Sequence, residues 1–129
     1  MRHRQHYTLE EARTLRGWVA DRVRLARSGL EVLARPESRA ALGELDAKTG
    51  GAWPGRTVAR AVLDVQRAVG ELRAADIVVR DVARGLVDFP ALQDGEEVYL
   101  CWLVEEPEIG WWHELDAGFA GRRPLADGR

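Results

Sequence analysis

The stretch "VYLCWLV", Val98 to Val104, decides the fold. Alternation places Val98, Leu100, Trp102 and Val104 on one face and Tyr99, Cys101 and Leu103 on the other. A strand that is apolar on both faces is covered on both, so it is central in its sheet. Its neighbours follow outward along the chain. "DGEE", Asp94 to Glu97, reads as a turn between strands, and "LVDFPAL", Leu86 to Leu92, is extended before it. Pro90 makes that stretch an edge strand or a strand end. "IVV", Ile77 to Val79, is a further short β-rich run. On the other side "EEPE", Glu105 to Glu108, turns the chain, and "IGWWHEL", Ile109 to Leu115, returns as an antiparallel neighbour.

The first half has a different period. Thr8 and Glu11 have capping-box spacing ahead of a helix. Ala12, Leu15, Val19, Val23, Ala26, Leu30 and Leu33 then recur at steps of three and four and draw one apolar stripe. Gly17 and Gly29 inside this helix weaken it by roughly 1 kcal/mol each relative to alanine, and they mark places where another backbone comes close. Pro36 ends the helix or starts a short continuation over "ESRAALGELDAK". "TGGAWPG", Thr49 to Gly55, is a loop. Val58, Val62, Val65, Val69 and Leu72 form a narrow stripe of coiled-coil type on a second long helix. The expected architecture is α+β: a long antiparallel helical hairpin over 7–75, packed with a three- or four-stranded antiparallel β-meander and a C-terminal turn over 76–125. One domain is expected over 1–129, with 1–6 and 126–129 as mobile ends.

At 129 residues, with 46% hydrophobic and 31% charged, the chain can bury a core and is not disordered in composition. No apolar run is long enough to span a membrane, and "MRHRQHYTLEE" does not open a secretory signal. Cys101 is the only cysteine, which fits a reducing cytoplasm. The net charge of −2 argues against nucleic acid as a partner, but the charges are unevenly spread. Residues 1–35 carry eight arginines against four acids, and residues 81–119 carry ten acids against one arginine. The two regions should attract one another. An acidic pocket for a cation, or a basic helix face for an anion, is the sharper alternative.

His113 is the first candidate for chemistry. It reads either as a strand-end histidine bonded to a carbonyl or carboxylate, or as an acid–base group or metal ligand. A strand over Ile109 to Glu114 puts Ile109, Trp111 and His113 on one face and Trp112 and Glu114 on the other. Asp116, Glu108, Glu106 and Asp88 are possible oxygen donors beside it, and no H-E-x-x-H or H-x-H spacing occurs. His113 with Asp116 is the candidate pair for a divalent transition metal. His113 and Asp88 are the candidate catalytic residues. Arg122, Trp112, Glu108 and Gly121 are candidates for holding a small anionic ligand. Gly118 and Gly121 permit a tight turn, and Arg122 there either clamps an anion or pairs with Asp88 or Asp116. His3 and His6 read as incidental. Cys101 reads as a buried structural thiol. Asp81, Asp88 and Asp94 fall on turns or strand ends.

The stretches G-L-V-D-F-P (Gly85 to Pro90), L-C-W (Leu100 to Trp102), E-P-E-I-G (Glu106 to Gly110), W-H (Trp112, His113) and G-F-A-G-R (Gly118 to Arg122) resemble an uncharacterised bacterial family known only as domain of unknown function 2203. "YTLEEAR" is similar to the family's start. Where the resemblance leads one to expect a glycine, this chain has Glu105. The resemblance implies no activity. The expected function is therefore a cytoplasmic binding or assembly module, homodimeric through its helices, with a protein partner possible. The alternative is a small metal-assisted or acid–base enzyme around His113, Asp88 and Arg122.

Overall fold

The computed structural model describes residues 1–44 and 55–125. Helix α1, Leu9–Leu33, starts at a capping box: the Glu11 N–H donates to Thr8 Oγ1 at 3.0 Å, and the Thr8 N–H donates to Glu11 Oε1 at 2.9 Å. Two of the helix's orphan donors are thereby satisfied. Of the expected stripe, Ala12, Val19, Val23 and Ala26 are buried. Leu30 continues it in spacing but is 42% exposed. Helix α2, Pro36–Glu44, opens with its proline, where the missing N–H costs nothing. The expected continuation past Glu44 and the expected loop before Gly55 lie outside the described residues.

Helix α3, Gly55–Ala74, packs along α1. The two helices come close at Gly29, where a Cβ would stand 2.6 Å from Val65 Cγ2 and 3.0 Å from the Ala61 carbonyl oxygen. Gly17 has open space instead. The buried edge of α3 is Val58, Ala61, Ala68 and Leu72, while Val62, Val65 and Val69 are only half-buried. The seam thus keeps Val58 and Leu72 of the expected stripe at its ends and adds Ala61 and Ala68 between them. No helix among the described residues is long and apolar enough to cross a membrane.

The helices are followed by a five-stranded antiparallel sheet: β1 (Val78–Asp81), β2 (Leu86–Gln93), β3 (Glu96–Leu103), β4 (Trp111–Glu114) and β5 (Arg123–Pro124), in sequential order. The expected three or four strands become five because Arg123 and Pro124, assigned to the C-terminal turn by sequence, pair with Trp112 and Trp111. Asp94 (φ 53°) and Gly95 (φ 83°) alone form the β2–β3 turn, with Gln93 opposite Glu96. Positive φ at both centres is the two-residue hairpin geometry that Asp-Gly favours. The turn is therefore narrower than "DGEE", and Glu96 and Glu97 belong to β3.

Pro90 lies inside β2, but β1 pairing stops at Val78 opposite Asp88. Beyond that point β2 is locally an edge. The Tyr7 N–H donates to the Pro90 carbonyl at 2.7 Å there. The core fills the space between α1, the end of α3 and one face of the sheet, with Val87, Phe89, Leu100 and Trp102 from the strands against Val19, Val23 and Leu72. Full burial of a side chain such as Phe89 contributes about 1.5–3 kcal/mol. Trp112 packs against this core and Ile109 joins it, so Ile109 does not share the face of His113 as expected. It precedes β4 and is free of the strand's alternation.

Candidate functional site

The sheet face opposite the helices carries buried polar residues. Asp88 and Cys101 are directly opposed across β2 and β3, and Tyr99 and His113 across β3 and β4. These pairings bring one carboxylate, one thiol and one imidazole to the same patch. One ligand atom from each of Asp88, Cys101 and His113 lies within 4.8 Å of the others. Asp88 and His113 are 1% exposed and Cys101 is 0%. Three strands thus place a closed O, S, N cluster without help from any loop.

Each member has defined partners. His113 Nδ1 lies 2.7 Å from the Glu114 carbonyl oxygen, and Nε2 lies 3.1 Å from both oxygens of Asp88. A carbonyl only accepts, so Nδ1 is the donor. Arg80 Nε donates to Asp88 Oδ2 at 2.8 Å. Burial pushes the Cys101 thiol up to about 12, and the charge of Asp88 adds to that. The thiol is therefore protonated at neutral pH and a poor nucleophile. On the same face Arg122 Nη2 donates to both oxygens of Glu106 at 2.9 Å, and its guanidinium lies 4.7 Å from the ring centres of both Trp111 and Phe119.

The N-terminal segment closes over this face. The backbone N–H groups of Arg2 and His3 donate to the two oxygens of Glu97 at 2.7 and 2.9 Å. His3 bridges Asp76 Oδ1 at 2.7 Å and the Tyr99 hydroxyl at 2.6 Å. His6 Nε2 is 2.8 Å from Glu97 Oε2. Tyr99 in turn packs against His113, with ring centres 5.5 Å apart. Residues expected to be a loose end are therefore engaged, and His3 and His6 are not incidental. The cause is a set of buried or half-buried carboxylates that need donors.

A family model described as an uncharacterized conserved protein, DUF2203, matches residues 5–125. The chain belongs to this family. No curated protein and no solved structure matches it significantly. In this DUF2203 chain the structure brings His113 and Asp88 into contact, keeps Arg122 on the same face and leaves the other candidates elsewhere. Asp116 is 91% exposed and pairs with Arg2 at 3.3 Å. It follows His113 closely in sequence, but it sits past the strand end. Glu108 is 63% exposed and pairs with Arg16 at 3.2 Å. Trp112 faces the helices, and Arg123 lies over its ring at 5.3 Å. Gly121 packs against Ala117, where a Cβ would come within 2.7 Å. Arg122 takes Glu106 as its carboxylate in place of Asp88 or Asp116. Asp88 itself is mid-strand, not at a turn or strand end. Sequence reasoning missed Arg80 and the neighbourhood of Cys101. The alternation of β3 held the signal for the cysteine, since Tyr99 and Cys101 share a face.

Proposed function

We propose that this DUF2203 member is a binding and assembly module that forms a homodimer through its helical hairpin. The observation that carries this reading is Leu30: it lies on the stripe of Val19, Val23 and Ala26, yet 42% of it is exposed. On α3 the half-buried Val62 and Val69 add apolar surface. A second copy laid against these residues would bury them in a four-helix arrangement. A free, buried Cys101 supports a reducing compartment such as the cytoplasm.

An acid–base enzyme would need His113 to meet a substrate, and both of its nitrogens are engaged behind a closed surface. An anion at Arg122 would have to displace Glu106. Sedimentation of the full chain at micromolar concentration tests the proposal. A dimer mass is expected, with Leu30→Arg reduced to a monomer of unchanged helix content. A monomer mass for the parent throughout that range overturns it.

A further inference from the structure

Arg80 supplies a positive charge on one side of Asp88, but none stands between the carboxylate and His113 Nε2. The ring donates from Nδ1 to the Glu114 carbonyl, so Nε2 turns its other valence toward Asp88. A lone pair facing a carboxylate is repulsive. The 3.1 Å gap to both oxygens therefore calls for a proton or a metal cation. A shared proton would need only these two groups. The third member, the sulfur of Cys101, is fully buried within 4.8 Å of the other two ligand atoms.

Oxygen, sulfur and nitrogen together suit a borderline-soft divalent ion. Bond lengths of about 2.0–2.3 Å around a tetrahedral centre place donor atoms roughly 3.3–3.8 Å apart. The cluster, all within 4.8 Å, reaches that spacing by small movements. The surroundings agree. Ligating histidines commonly donate their other nitrogen to a carbonyl, as Nδ1 does here, and Arg80 holds Asp88 Oδ2 while Oδ1 faces His113 Nε2 and is not taken by the arginine.

We propose that Asp88, Cys101 and His113 bind one divalent transition-metal ion of the zinc or cobalt class, cross-linking β2, β3 and β4. Binding releases the thiol proton of Cys101 and any proton held between His113 and Asp88. The fourth position of a tetrahedral ion would be filled by a water enclosed with it, since all three residues are buried. The site lies on the sheet face away from the helices and does not depend on dimer formation.

The test is a cobalt(II) titration of the full-length, tag-free chain. Cys101 is the only cysteine, so a thiolate-to-cobalt charge-transfer band reports on this site alone. One equivalent and a tetrahedral cobalt spectrum are expected. Affinity should fall by at least about tenfold in His113→Gln. A His3→Gln, His6→Gln double variant should keep the parent's affinity. Zinc should raise the thermal midpoint of the parent and not that of Cys101→Ser, which is close to isosteric and tests the site where an Asp88 variant misfolds. Absence of the band at saturating cobalt overturns the proposal. So does a band whose affinity is unchanged in His113→Gln, since the cysteine would then be binding without its neighbours.

Discussion

Asp88 is the residue on which the outer face of the sheet depends. Its carboxylate is buried and serves Arg80 Nε and His113 Nε2 together. Its removal leaves His113 buried without its partner, while Arg80 is 40% exposed and can turn to water, so the cost is about 3 kcal/mol, the lower end for a broken buried pair. Asp88→Ala should lose stability of that order in urea unfolding with a chelator present, and Asp88→Asn should lose less because its amide oxygen still accepts. A loss below about 1 kcal/mol for Asp88→Ala would mean that its partners find water instead. The pairing with His113 was partly legible in the sequence, because both residue types suit the same chemistry. Arg80 was not, since an arginine in a short edge strand carries no mark of where its side chain ends.

At the scale of elements, two glycines in one helix separate propensity from packing. Gly17 has open space, so Gly17→Ala should stabilise the protein by about 1 kcal/mol. At Gly29 the added methyl meets Val65 and the Ala61 carbonyl, so Gly29→Ala should destabilise it by about 1–3 kcal/mol despite the same propensity gain. Thermal unfolding of the two variants beside the parent checks both signs. Sequence reading treated these glycines alike, because the partner helix at Gly29 is invisible to local pattern. The sheet shows a similar limit. Strand β3 and the alternation of its faces followed from "VYLCWLV", and the capping box followed from Thr8 and Glu11. The register did not: a turn over Asp94 to Glu97 would set Asp88 opposite Leu103, whereas the two-residue turn sets it opposite Cys101. Two residues of turn length decide which side chain the carboxylate faces.

Across the whole molecule, the uneven charge resolves into contacts between the two regions. Arg2 meets Asp116, Arg16 meets Glu108 and Arg27 meets Glu105, where the resemblance suggested glycine. Such exposed pairs are worth little singly. The N-terminal segment holds more. Burial acts to raise the pKa of Glu97, but hydrogen bonds from Arg2, His6 and His3 win and bring it down to about 2. Asp76 also lies below its ordinary value: burial opposes this, and bonds from His3, Gln5 and Arg4 outweigh it. A carboxylate with a depressed folded pKa stabilises fully above its unfolded pKa of about 4.5 and loses that contribution as pH falls toward about 2. Urea midpoints followed through this window should fall more steeply for the parent than for Glu97→Gln, and parallel curves would refute the assignment. The same segment orders events in folding. Every strand neighbours its successor, so hairpins can close locally and early. The segment cannot, because Glu97, Tyr99 and Pro90 must already stand in their strands before Arg2, His3 and Tyr7 have anything to grip. Residues at the start of the chain are therefore expected to find their places only after the sheet that they fasten has formed.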